Sequence, residues 1–499
     1  MEIFDNLALG FSVALSFQNI FYCFIGVLLG TLIGVLPGLG PVATIAMLLP
    51  ITFGLPPVSA LIMLAGIYYG AQYGGSTTAI LINLPGESSS VVTALDGYQM
   101  ARQGRAGVAL ATAALGSFFA GTVATFLLAL FAPPLADLAL KFGAPEYFAL
   151  MVLGLVASVT LASGSVVKAL AMVVLGILLG LAGQDVYTGI PRFTMDIPDL
   201  ADGIEFVALA MGVFGLGEII RNLEDEHTRT VGVQKVKGLM LSLAEFKQIA
   251  LPVIRGTTLG SFLGILPGGG AMLSSFAAYS IEKKVSKHPE QFGKGAIEGV
   301  AGPEAANNAG AQTSFIPMLT LGIPSNPVMA LMIGALIIQG IVPGPNVVNE
   351  KPDLFWGIIA SMWIGNLMLV LLNLPLIGIW VRLLTVPYHV LFPMIVAFCC
   401  IGVYSVNNNT LDVFAMAAFG LVGYVLVKLD CEPAPLLLGF IIGPMLEEYL
   451  RRALLISRGD PTVFVTRPLS ASLLAIAVLA LVVVLLPSVR KKREEAFQE

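Results

Sequence analysis

Apolar runs long enough to cross a hydrocarbon core of about 30 Å recur along nearly the whole chain, separated by short polar turns. In order, they predict a hairpin over about 20–55, a long segment over about 57–84, a polar connection over 96–105, and spans near 107–131, 146–163, 166–184 and 203–221. A charged stretch from Arg221 to Lys247 follows, then a second hairpin over about 251–281. Both hairpins break at the same motif. Gly34-Val-Leu-Pro-Gly-Leu-Gly-Pro41 returns as Gly264-Ile-Leu-Pro-Gly-Gly-Gly-Ala271, and the lead-in Leu29-Gly-Thr-Leu-Ile-Gly34 returns as Leu259-Gly-Ser-Phe-Leu-Gly264. Proline removes a backbone donor and glycine weakens a helix, so Pro-Gly-x-Gly opens it. The freed backbone groups must be buried in protein or line a wet cavity. Interrupted helices at matching places in two halves mark the binding site of a transporter.

The repeat reaches further. Ala71-Gln72 leading to Pro85 is matched by Ala311-Gln312 leading to Pro324, one residue shorter, and Ala144-Pro145 by Val386-Pro387. The chain divides into a first repeat (1–220), a linker (221–250), a second repeat (251–465) and an unpaired final helix with a basic tail (466–499). Lys and Arg flank the second hairpin on both sides, which puts both flanks in the cytoplasm and makes it re-entrant, with arms of about 15 residues. Five crossings lie between the hairpins, so the second copy is inverted. The expected fold is an all-α polytopic membrane protein with inverted repeats, two re-entrant hairpins and about 11–12 transmembrane helices. Its N-terminus is expected outside and its C-terminus inside. This topology leaves 18 Lys and Arg inside, seven outside and Arg255 within the hairpin. The outward Arg451–Arg467 cluster weighs against it.

Composition narrows the function. Mean hydropathy is +0.89 and 11% of residues are charged. No basic stripe points to nucleic acid, and no Walker A motif supplies ATP. The three histidines and four cysteines form no Ser/His or Cys/His pair inside a span, which speaks against an enzyme. The N-terminus lacks the basic region of a signal peptide. What the interior carries is uncharged oxygen and amide groups beside the breaks. Broken helices offer backbone N–H groups to an anion, and carbonyl ends with Ser, Thr and Asn oxygens to Na⁺. The candidate ligand-binding residues are Pro37, Gly38, Gly40, Ser76, Thr77, Thr78, Gly268, Gly269, Asn307, Asn308, Ser325 and Asn326. Asn83, Glu87, Asp96, Glu298 and Glu304 are ion-coupling candidates, since an acid in a membrane segment is a cation ligand or proton carrier by default. Glu304, Asn307 and Asn308 share a helix face and are expected to look toward the second hairpin. Arg102 and Arg105 fit the cytoplasmic mouth. No cofactor is expected beyond Na⁺ or H⁺ as coupling ion.

Three stretches carry a family resemblance: Pro85-Gly-Glu-Ser-Ser-Ser-Val-Val-Thr-Ala-Leu-Asp-Gly-Tyr-Gln-Met-Ala-Arg-Gln-Gly-Arg105, Glu298-Gly-Val-Ala-Gly-Pro-Glu-Ala-Ala-Asn-Asn308 and Pro317-Met-Leu-Thr-Leu-Gly-Ile-Pro-Ser325. They resemble the signatures of the large membrane subunit of tripartite tricarboxylate transporters, and the likeness extends over nearly the whole chain. It implies a bacterial inner-membrane permease for carboxylates such as citrate, coupled to a cation, usually Na⁺. It also implies a small membrane subunit and a periplasmic solute-binding protein. A stand-alone carboxylate symporter, or a channel or scaffold subunit without coupled transport, are the alternatives.

Overall fold

The structure, a computed structural model, describes residues 2–36, 39–161, 165–185, 187–224, 236, 238–266, 270–384 and 388–485. The first half contains α1 (Glu2–Ala14), α2 (Phe17–Gly34), α3 (Pro41–Leu48), α4 (Pro57–Ile82), α5 (Val91–Met100), α6 (Ala106–Ala139), α7 (Ala144–Leu161) and α8 (Val166–Gly180). It closes with α9 (Phe206–Ala210) and α10 (Gly217–Glu224), joined through a π-turn. The second half contains α11 (Leu243–Leu263), α12 (Gly270–Val285), α13 (Glu298–Thr313), α14 (Phe315–Leu321), α15 (Pro327–Ile338), α16 (Asn346–Glu350), α17 (Pro352–Asn373) and α18 (Ile377–Leu383). Then come α19 (Tyr388–Asn407), α20 (Thr410–Lys428), α21 (Ala434–Ile456), α22 (Val463–Thr466) and α23 (Pro468–Leu485). The one sheet among the described residues is the two-residue ladder of Gly183–Gln184 with Pro191–Arg192. The protein is an all-α polytopic membrane protein. Phe126, Phe131, Val174, Phe414, Leu421 and Leu479 stand exposed on its helices, as a hydrocarbon solvent allows.

Glycine stripes set the packing. A methyl carbon placed on Gly30 of α2 would lie 2.3 Å from the Ile67 carbonyl oxygen of α4, and neighbouring Gly26 and Gly34 are as close to Met63 and Ala71. In the second half, Gly256, Gly260 and Gly264 of α11 meet Gly302, Ala306 and Gly310 of α13, and a methyl on Gly260 would lie 2.3 Å from the Ala306 oxygen. Small residues every fourth position let two backbones touch, which replaces the hydrophobic drive that lipid cannot supply.

Both breaks that follow these pairs use one device. Asn83 (φ 58°) ends α4 in the left-handed region two residues before Pro85, and Gly322 (φ 70°) ends α14 two residues before Pro324. The Gly86 N–H reaches the Gly75 carbonyl at 3.4 Å, and the Ser325 hydroxyl reaches the Ser314 carbonyl at 3.5 Å. Gly322 thus answers Asn83, Pro324 answers Pro85 and Ser325 answers Gly86. The same constant offset pairs Gln312 with Tyr73. The matching of Ala311-Gln312 to Ala71-Gln72 is therefore one residue out of register, because the contacts that fix the register are not adjacent in sequence.

Some expectations change. Residues 96–105 are not a polar connection: α5 covers 96–100, a π-helical turn covers Ala101–Arg105, and the helical path breaks only at Gly104 (φ 79°). The sequence reading contained no α1, which packs on α17. The hairpin arms are unequal. The 21 residues of α11 span about 31 Å at 1.5 Å each, whereas α3 has eight residues. The tips Pro37, Gly38, Pro267, Gly268 and Gly269 lie outside the described residues.

Charges collect at two opposite ends. Asp185, Arg192, Glu447 and Arg451 form one cluster, with Arg452 paired to Glu448 and Arg467 to Glu146 (2.6 Å) nearby. At the other ends of α6 and α8 lie Arg105 with Glu245 and Lys168 with Asp430. Arg451, Arg452 and Arg467 share an end with Arg192, as the topology expects. Each of these three is paired with an acid.

Candidate transport site

Helix α4 crosses α13 and the start of α14 antiparallel at the centre. Tyr68 and Tyr69 approach Phe315 with ring centroids 6.4 and 6.0 Å apart, Gln72 reaches Asn307 at 3.4 Å, and Ser76 reaches Glu304 at 2.9 Å. Rising numbers on one helix meet falling numbers on the other, the direction that an inverted second half requires. The contacts to the breaks are also reciprocal. Asn307 of the second half donates to Glu87 at the first break (2.9 Å). Tyr68, its counterpart in register, lies beside Asn326 at the second break, which is the counterpart of Glu87. A two-fold relation between the halves produces such paired contacts.

Around this crossing the chain builds a polar interior. Glu304 is fully buried and accepts from Ser76 and from Thr93 (2.5 Å). The Asn308 amide donates to Ser117 on α6 (2.6 Å), and Thr125 on the same helix donates to Gln312. Ser275 of α12 donates to the Ser89 carbonyl (2.6 Å), which ties the second hairpin to the turn after the first break. Among the described residues, no Lys or Arg pairs with Glu87 or Glu304. A narrow cleft reaches Glu304 between α4, α6, α13 and the end of α17. The described residues hold no cluster of three His, Cys, Asp or Glu fit for a metal.

The candidate residues separate into groups. Ser76, Glu87, Glu304, Asn307 and Asn308 come together at the crossing. Glu304, Asn307 and Asn308 do not look toward the second hairpin as expected. Gly302, Ala306 and Gly310 occupy the hairpin-facing stripe of α13, which turns Glu304 and Asn307 toward the first half. Ser325 and Asn326 sit at the second break, where Asn326 caps α15 and donates to Ser314 (3.1 Å). Gly40 approaches Gly86, and Gly270 approaches Asn326, so each hairpin's return arm begins against its own half's break. Thr77 and Thr78 spend their hydroxyl protons on carbonyls of α4. Asn83 is exposed and serves the left-handed helix end.

Asp96 and Glu298 stand apart. The Asp96 carboxylate is buried and accepts backbone N–H bonds from Gly293, Gly295 and Ala296, each 2.8 Å, and the Tyr279 hydroxyl (2.9 Å). It ties α5 to α12 and the loop after it. Only glycine fits at 299, where a methyl would lie 2.2 Å from an Asp96 oxygen. Glu298 accepts from Gln248 near the surface. Arg105 is paired with Glu245 at 3.0 Å, and Arg102 is exposed. The sequence reading did not find Tyr68, Thr93, Ser117 or Asn373. Their partners are remote in sequence: Tyr68 meets Asn326, Thr93 meets Glu304 and Ser117 meets Asn308.

Fold and site define a polytopic membrane protein with interrupted helices meeting at a buried polar centre, the design of a carrier. Residues 20–438 match the sequence model of the Tripartite tricarboxylate transporter TctA family, and the chain belongs to that family. It is 68% identical over 499 residues to an Agrobacterium vitis protein described as "Uncharacterized 52.8 kDa protein in TAR-I ttuC' 3'region", covering 100% of this chain and 99% of the relative. A second Agrobacterium vitis protein, "Uncharacterized protein in TAR-II ttuC' 3'region", is 66% identical over 240 residues, 48% of this chain and 99% of its own length. No solved structure matches the chain. The family is one of transporter subunits, not enzymes.

Proposed function

We propose that this chain is the translocating subunit of a secondary transporter that takes up di- or tricarboxylates across the bacterial inner membrane. A Na⁺ or H⁺ gradient drives it, a periplasmic solute-binding protein delivers the substrate, and a small membrane subunit completes the assembly. The observation that carries this reading is the meeting of two interrupted helix pairs at a centre holding two acids and several amides, with no basic partner among the described residues. Among the described residues, an anion there has no side-chain cation to meet. It is held by backbone N–H groups at Pro37–Gly40 and Pro267–Gly270, with Ser325, Asn326 and the amides of α13 assisting. Co-bound cations at Glu87 and Glu304 offset the charge. Thr77 and Thr78 contribute little, because their hydroxyl protons are already used within α4. Arg102 and Arg105 act at the exit.

The experiment is uptake of labelled di- and tricarboxylates by the reconstituted protein with its partners, with and without a Na⁺ gradient. Accumulation against the substrate gradient that needs both Na⁺ and the binding protein supports the reading. Accumulation without the binding protein favours a stand-alone symporter. Equilibration without accumulation reduces the chain to a channel or scaffold.

A further inference from the structure

We propose that Glu304 heads a site for one small monovalent cation, completed by Ser76, Ser117 and Asn373, and set apart from the two breaks that take the anion. This rests on the reading of the protein as a cation-coupled carboxylate carrier. The narrow cleft is walled by Leu110, Ala113, Ala114, Leu374 and Ile377, and its polar lining is Tyr73, Ser76, Thr77, Ser117, Glu304 and Asn373. Ser117 takes the Asn308 amide proton, gives its own hydroxyl proton to Glu304 and keeps a lone pair for the cleft.

Asn373 supplies the second, independent observation. It is 4% exposed, and its Nδ2 donates to the Leu369 carbonyl (2.9 Å). Its Oδ1 is buried with no hydrogen-bond partner. A buried amide oxygen without a donor is costly unless a cation or water meets it. Here that oxygen belongs to a side chain lining the same cleft as a buried carboxylate with no basic partner among the described residues.

The donor set names the class. One carboxylate with hydroxyl and amide oxygens matches a hard ion of charge +1. Calcium sites gather six to eight oxygens and usually several carboxylates. The lining holds no imidazole or thiolate, the ligands that suit zinc or copper. Asn373 ends α17, and Leu374 and Ile377 lead into α18, so that helix end forms one wall of the cleft. Cation and anion sites then communicate through one turn of α13, on which Glu304 faces the cleft and Asn307 holds Glu87.

The test is Na⁺-dependent thermal stabilisation of the purified protein without carboxylate, with choline replacing Na⁺. Wild type should be stabilised in a saturable way. Asn373→Leu and Ser117→Ala should each raise the half-saturating Na⁺ concentration about 10-fold, and Glu304→Gln should abolish the response. Asn373→Asp keeps the oxygen and should keep the response, which guards against Asn373→Leu simply failing to fold. Wild type without Na⁺ stabilisation, or Asn373→Leu and Ser117→Ala with wild-type half-saturation, would overturn the proposal. If uptake depends on Na⁺ while these variants titrate like wild type, this site falls and the transport reading stands. If wild-type uptake depends on neither a Na⁺ nor a proton gradient, the transport reading falls, and the stabilisation assay still reports on the site.

Discussion

The breaks at Asn83–Glu87 and Gly322–Asn326 share a left-handed helix end, a proline two residues on and a close approach to the preceding helix, yet they carry exchanged chemistry. The first presents an acid, Glu87, where the second presents an amide, Asn326. The helices behind them are exchanged too. In register, Tyr68, Tyr69 and Tyr73 of α4 stand where α13 has Asn307, Asn308 and Gln312, and Ala65 stands where α13 has Glu304. Each break therefore meets the opposite half's helix: acid against amide in one place, amide against phenol in the other. The lesson is that the duplicated backbone makes the opening, and the differences between the copies make the binding centre.

The largest effects should come from the shared backbone. Gly30→Leu and Gly260→Leu each drive a side chain into a backbone 2.3 Å away. Overpacking costs about 1–3 kcal/mol where neighbours can yield, and two touching backbones cannot. Both variants should lose monodisperse protein in detergent, whereas Gly54→Ala, with nothing within 4 Å, should match wild type. If Gly30→Leu purifies and transports normally, the α2–α4 contact is not as described.

The next effects separate the halves. Asn326→Asp places a second carboxylate beside Tyr68 and removes the donor to Ser314, and uptake should fall at least about 10-fold. Glu87→Gln removes an acid whose proposed role is cation binding, so the Na⁺ or pH dependence of uptake should change more than expression does. Equal, ion-independent losses in both would mean that the exchange of acid and amide carries no function. Asn307→Ala, which leaves Glu87 without its amide, should weaken apparent affinity about 5- to 10-fold, and Thr77→Val less than about 2-fold. Rates of carboxylate uptake check both.

The smallest effect lies at the charged end. The Thr188 backbone N–H, then that of Tyr187 and the Arg451 guanidinium, hold the Asp185 carboxyl down at about 2, below its ordinary value near 4. A depressed value stabilises the fold above the ordinary value and loses that contribution as pH falls through the depressed one. The loop around Asp185 should therefore loosen between about pH 4 and pH 2 and not between pH 7 and pH 5. Protease nicking of this loop across that range is the measurement.

Much of this was legible in the sequence because it is local. Pro-Gly breaks, small-residue stripes and apolar runs are periodic signals, and they located both hairpin segments and most spans. What was not legible depends on contacts between distant residues. The register of the repeat is set by Gly86 on Gly75 and Ser325 on Ser314, and a sequence match at Ala-Gln alone put it one residue off. Asp96 reads as a membrane acid, yet three backbone N–H groups and a phenol some two hundred residues away occupy it. Glu304 was found as an acid on a helix, but its direction follows from which face of α13 the glycines reserve for α11. Asn373 looks like an ordinary polar residue at a helix end until its neighbours are known.

The central claim is that the halves meet with α4 and α13 antiparallel, which sets Glu87, Glu304 and Asn307 at one centre. Cysteine pairs test it most directly, in a chain with Cys23, Cys399, Cys400 and Cys431 replaced by serine or alanine. A short thiol cross-linker should join the pair made by Tyr69→Cys with Phe315→Cys, and the pair made by Ser76→Cys with Glu304→Cys. It should not join Tyr69→Cys with Glu304→Cys, or Ser76→Cys with Phe315→Cys. Efficient linking of these last two pairs in place of the first two would mean a parallel crossing and would contradict the account.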